Sequence, residues 1–158
     1  PRPPPPPPPP EEPGPGCGQQ HTGIFLAVAK YVVDSSVILH LLAEDLDLPA
    51  DHQLLAPTLA RSEVLESLYR AARDGTLSAE DARARLARFA GMKIRYLGDK
   101  VLRKVAWEIA EDLGWDSTAR AEYLSLSRLQ ADAFITLDAG LATEAAGVVE
   151  VASIDEIL

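Results

Sequence analysis

The sequence predicts an α/β fold: three layers, α/β/α, with a central parallel sheet. Three observations carry that expectation. Short β-branched runs alternate with stretches of 3.6-residue apolar spacing from Tyr31 to the C terminus. The strand-like runs are nearly continuously apolar, as strands buried on both faces are. Strands separated by helices point to a parallel sheet covered on both faces.

Taken in order, Ala29-Lys-Tyr-Val-Val33 reads as the first strand. The stretch Val37-Ile-Leu-His-Leu-Leu42 follows as a helix, with Ser35 or Ser36 available as its cap. Gln53-Leu-Leu-Ala56 is a second strand, stopped by Pro57, and Thr58 can cap a helix that runs through Arg73 to the stop Asp74-Gly75. Its apolar face comprises Val64, Leu65, Leu68, Tyr69 and Ala72, with Glu63 at the edge. Ser78 and Asp81 form a capping-box-like start for a helix to about Ala90. Lys93 to Leu97 is a third strand. The stretch Asp99 to Leu113 is a helix periodic through Val101, Leu102, Val105, Ile109 and Leu113. A helix from about Ser117 to Leu129 leads to the strand Ala133-Phe-Ile-Thr136 and then Asp138. A short helix, a strand over Val148 to Val151 and a terminal turn complete the chain.

Residues 1–22 are a different kind of sequence from the domain expected over 23–158. Pro3 to Pro10 is an unbroken proline run without backbone donors, followed by Glu11, Glu12 and several glycines, and it reads as a disordered tail. Gly23 to Ala29 has the look of a weak signal-peptide core, but the stretch is short and no positive cluster precedes it, so it reads as a lead-in to the first strand. No apolar run approaches a membrane span, so no membrane partner is expected. The single cysteine, Cys17, offers no disulfide framework, and a reducing cytoplasm is the expected compartment. Zinc-type Cys/His spacing, a glycine-rich phosphate loop and a Gly-x-Ser-x-Gly elbow are all missing, and His21, His40 and His52 are scattered.

The net charge of −9 argues against generic nucleic-acid binding, but its distribution does not. Eleven of the 15 Lys and Arg residues fall between Arg61 and Lys104, against six acids, a local net of about +5. A basic segment beside an acidic pocket is what a metal-dependent phosphodiester enzyme needs. It is equally what a solvated helical face looks like.

Asp34 and Asp138 are candidates for that pocket. Each follows a short apolar strand and precedes a helix, so both belong at the carboxyl edge of the sheet, where such folds bind ligands. Glu63 lies early in the helix after the second strand and falls near the same edge. Three carboxylates without His or Cys suit a hard divalent cation such as Mg²⁺, which keeps several waters and shares a substrate phosphate. Plainer roles exist for each residue. Asp34 and Asp138 can cap their helices, and Glu63 can pair with Arg61 or Arg70.

The blocks Val32-Val-Asp-Ser-Ser36, Ala56-Pro57 with Ser62-Glu63-Val64-Leu65, and Glu122-Tyr123-Leu124 with Phe134-Ile-Thr-Leu-Asp138 resemble the signature blocks of PIN domains. Among these they are similar to the VapC toxins of bacterial toxin–antitoxin pairs, over about Lys30 to Leu158. The resemblance implies a PIN-like α/β/α fold and Mg²⁺- or Mn²⁺-dependent endoribonuclease activity. It also implies an RNA substrate, a homodimer and an inhibitory VapB-like antitoxin. By motif match, Asp34, Glu63 and Asp138 are the catalytic and metal-coordinating acids, with Thr136 a hydroxyl beside them.

The chain departs from the pattern at one place. Where such sequences carry an aspartate three residues before the motif tyrosine, here Tyr123, this chain has Arg120. Asp116, four residues earlier, is a further candidate metal ligand that shares Arg120's face if the helix starts early enough, and Glu122, about 200° around it, is a poorer substitute. A catalytically silent module that binds antitoxin or RNA is therefore the alternative to the nuclease. A phosphatase of the same architecture is disfavoured, because the acid it needs two residues after the nucleophile is here Ser36.

Overall fold

The computed structural model describes residues 28–48 and 50–158. The proline-rich tail, Cys17, His21 and most of the lead-in lie outside the described residues. Four strands, β1 (Ala29–Val33), β2 (His52–Pro57), β3 (Ile94–Leu97) and β4 (Ala133–Ile135), form one sheet in the order β3-β2-β1-β4, with every pairing parallel. Six α-helices connect or follow them: α1 (Ser35–Ala43), α2 (Leu59–Asp74), α3 (Ala79–Ala90), α4 (Lys100–Leu113), α5 (Ala119–Gln130) and α6 (Ala139–Ala145). None of the described helices is long and apolar enough to cross a membrane.

Right-handed crossovers fix the layers. Passing from β1 to β2 to β3 places α1, α2 and α3 on one face, where they pack on one another. The return from β3 to β4 places α4 and α5 on the other, with α5 against β1, β2 and β4. Chain direction across the sheet reverses between β1 and β4. A crevice opens at such a switch point.

The core follows from this double coverage. Val32, Val33, Phe134 and Ile135 have no exposed surface, and Leu54 to Ala56 are nearly as buried. Helix α2 buries Ala60, Val64 and Leu68, one stripe at four-residue spacing. Leu65 and Tyr69, expected on that face, are 51% and 61% exposed, because α2 packs along a narrower stripe. Likewise α4 buries Leu102, Ala106, Ile109 and Ala110 and leaves Val101 outside.

Several boundaries moved for local reasons. The cap of α1 is Asp34, not a serine: its side chain accepts from the Val37 N–H. Thr58 makes no side-chain cap bond to α2, whereas Ser78 caps α3 as expected by accepting from the Asp81 N–H. Pro57 ends β2 from inside the strand rather than stopping it, and the Thr58 N–H makes the next bond, to the Leu97 carbonyl. Gly75 ends α2 at φ +80°, a left-handed turn only glycine takes without cost. No strand forms over Val148 to Val151. The segment contributes one parallel bridge, Phe134 to Val151, held by Phe134 N–H to the Glu150 carbonyl and Ala152 N–H to the Phe134 carbonyl.

Candidate active site at the switch point

The β1–β4 register builds the first half of the site. Val33 lies opposite Ile135, so the next residues, Asp34 and Thr136, meet across the end of the ladder. Thr136 Oγ1 donates to Asp34 Oδ2 at 2.5 Å and accepts from the Asp138 N–H at 3.0 Å, so one hydroxyl joins the two acids. Asp34 is only 5% exposed. Its Oδ1 accepts from Ser36 Oγ and from the Val37 N–H, and Ser36 Oγ in turn accepts from the Leu137 N–H. A carboxylate so buried needs such donors, since an unpaired one is costly to desolvate. Asp34 is therefore a cap and a site residue at once.

The second half comes from α2 and α5. Glu63 Oε1 accepts from the Tyr123 hydroxyl at 2.5 Å, and Tyr123 is 3% exposed. Burial pushes the Tyr123 phenol well up, and the carboxylates of Glu63 and Asp34 push it further against a contact from Ser35. It stays a neutral donor at any ordinary pH. The alternative partners of Glu63 are engaged elsewhere: Arg70 pairs with Glu66, and Arg61 lies 4.8 Å over the Tyr96 ring. Glu122 is half-buried beside them. Burial, then the charge of Glu63, raises its carboxyl above the ordinary range, and Arg103 opposes the shift.

Arg120 turns toward Asp138 at the surface. Its Nη2 donates to Asp138 Oδ2 at 3.1 Å, while Asp138 Oδ1 caps α6 by accepting from the Leu141 N–H. Asp116 stands apart. Because α5 begins only at Ala119, Asp116 sits in the exposed loop before it and lines a separate cavity with Trp107 and Trp115. The structure thus joins Asp34 to Asp138 through Thr136, sets Glu63 close by through Tyr123, and leaves Asp116 out.

One oxygen of the three acids, Asp138 Oδ2, is taken by a guanidinium that keeps its charge and cannot ligate a cation, which counts against Mg²⁺ or Mn²⁺ at that position. Among the described residues, no group of three or more His, Cys, Asp or Glu side chains is arranged to hold a metal ion.

Sequence reasoning missed Ser36 as a partner of Asp34, although an Asp with a hydroxyl two residues on is a frequent local hydrogen-bonding pair. It also discounted Glu122, whose nearness to Glu63 arises where α2 and α5, on opposite faces of the sheet, meet at its edge, and which carries no sequence signal. The basic segment does not form one lobe. Arg83, Arg85 and Arg88 lie on α3, and Arg88 is spent on Asp45 and the carbonyls of Leu42 and Leu46. Lys100, Arg103 and Lys104 lie on α4, on the other face of the sheet, where the charge of Arg103 reaches Glu122.

No family model and no curated protein matches the chain. Solved structures do. PAE2754 from Pyrobaculum aerophilum superposes with a TM-score of 0.64 at 20% identity, covering 81% of this chain and 91% of that one. VapBC2 from Rickettsia felis, solved bound to a DNA fragment from its promoter, gives 0.59 at 7% identity, covering 78% and 98%. VapC20 from Mycobacterium tuberculosis, a Sarcin-Ricin loop cleaving toxin, gives 0.53 at 20%, covering 77% and 98%. At these identities the likeness is one of fold: the chain has the PIN-like, VapC-like α/β architecture.

Proposed function

We propose that this chain is a VapC-like module that engages RNA and a VapB-like antitoxin, acts as a homodimer, and has its metal-dependent endoribonuclease chemistry held down by Arg120. The observation that carries the reading is the Arg120–Asp138 ion pair, 3.1 Å long, inside a constellation otherwise built as the sequence blocks require. Asp34, Glu63 and Asp138 converge at the switch point of a fold shared with VapC20, a toxin that cleaves the Sarcin-Ricin loop. A cation already pairs with one of them, Asp138. It is covalently part of the chain and cannot deliver a hydroxide as a metal-bound water does.

In this reading Asp34 and Tyr123 hold the frame of the site. Asp34 fixes Ser36 and Thr136, and Tyr123 fixes the Glu63 carboxylate. Arg120 neutralises the exposed acid, which lowers the repulsion between the pocket and an RNA phosphate while removing a ligand position for Mg²⁺ or Mn²⁺.

The test is cleavage of total RNA in Mn²⁺ by the wild type, Arg120→Asp and Asp34→Ala. The expected order is strong cleavage by Arg120→Asp, little by the wild type and none by Asp34→Ala. Equal cleavage by the first two would show that the chain is an unimpaired nuclease. The absence of cleavage in all three would leave only the binding module.

A further inference from the structure

We infer that the exposed face of α4 and the cavity at its end form a binding site for single-stranded RNA, with one unstacked base held against Trp107. The inference rests on the RNA reading above and adds the surface and the stacking residue.

The face is written in the spacing. Lys100, Arg103, Lys104 and Trp107 stand at i, i+3, i+4 and i+7 of α4, hence on one side of the helix, and all four are exposed. Three cations followed by an aromatic ring span about 10 Å along the axis. Such a series matches a nucleotide strand, whose phosphates want charge and whose bases want a π-face. Trp107 is 66% exposed, and nothing in the core needs its ring there.

The cavity gives that ring a purpose. It measures about 300 Å³ and lies where α4 turns into α5, between Trp107, Trp115, Glu111, Asp116 and Thr118. Trp115 is fixed by its indole N–H, which donates to Glu144 Oε2 at 2.5 Å. Glu144 belongs to α6, the helix that Asp138 caps, and Thr118 directly precedes α5, which carries Arg120. The cavity is thus tied to α5 and α6, the helix that carries Arg120 and the helix that Asp138 caps. Its lining has two carboxylates and no Lys or Arg, so it repels phosphate and accepts hydrogen bonds from a base amino group. The cations on the α4 stripe stand before it. The layout therefore sorts the strand: backbone on Lys100, Arg103 and Lys104, base on Trp107.

The experiment titrates the full chain with ten-nucleotide oligo(A) and oligo(C) RNA and with an abasic oligonucleotide of the same length, following tryptophan fluorescence at several salt concentrations. Trp107→Ala is expected to weaken RNA binding roughly five- to a hundredfold with an unchanged salt slope, and Trp107→Phe to retain most of the affinity. Lys100→Glu with Lys104→Glu is expected to lower the slope by about 0.7 per lost contact. The abasic strand should bind the wild type as weakly as RNA binds Trp107→Ala. Unchanged RNA affinity in Trp107→Ala, with weakened binding in the lysine variant, would overturn the stacking site and leave the RNA reading standing. A change of oligomeric state in Trp107→Ala without loss of RNA would also overturn it, in favour of a contact between copies. No RNA binding by the wild type at any salt would sink both.

Discussion

Asp34 and Asp138, joined through Thr136 at the candidate site, are the same residue type held in opposite ways. Asp34 is 5% exposed and surrounded by neutral donors from Ser36, Thr136 and the Val37 N–H. Asp138 has a side chain 41% exposed and is held by a charged one, Arg120, itself 55% exposed. A buried carboxylate with satisfied partners is part of the fold, since each partner is orphaned if it leaves. An exposed ion pair is worth little to stability and can be exchanged freely. The difference teaches where this architecture can change its chemistry: at the Asp138 side, by one substitution on α5, without touching the core.

The contrast can be broken most directly at the buried half. Asp34→Ala removes the α1 cap and leaves the Ser36 and Thr136 hydroxyls without their acceptor. The expected loss is about 2–4 kcal/mol in urea unfolding. A loss below about 0.5 kcal/mol would mean that Asp34 is held for chemistry alone. Tyr123→Phe should follow at about 1–3 kcal/mol, because Glu63 then faces an apolar ring edge. Arg120→Ala, at the exposed half, should change stability by less than about 1 kcal/mol, and less still at high salt.

The smallest expected effect is one of pH. Glu122 has a carboxyl raised by burial and by Glu63, so the folded state holds its proton more tightly than the unfolded chain. Its contribution is present below the ordinary glutamate value and is lost as pH rises through the folded one. Glu122→Gln should therefore melt higher than the wild type at pH 7 and no higher at pH 4. The reverse ordering would place Arg103, rather than Glu63, in control of Glu122.

Much of this was legible in the residues. The strands follow from short apolar runs, and the placement of Asp34 and Asp138 from the acids that follow β1 and β4, because a parallel sheet puts such ends on one edge. Arg120 announced itself as a cation in an acid's place. What stayed hidden depends on packing. The exposure of Leu65, Tyr69 and Val101 turns on how narrow a stripe each helix buries, and periodicity does not state that width. Val148 to Val151 had strand composition but paired at a single position. The division of the basic residues between two faces required the crossover to be known. Asp116 was left in a loop by the late start of α5, and helix starts are the least certain boundary to read from composition.

Calorimetric titration of Mn²⁺ into the wild type and Arg120→Asp, with Asp34→Ala as reference, tests the central claim most directly. If Arg120 occupies the cation's place, the wild type should bind at least tenfold more weakly than Arg120→Asp and close to Asp34→Ala. Equal tight binding by the wild type and Arg120→Asp, abolished in Asp34→Ala, would contradict it.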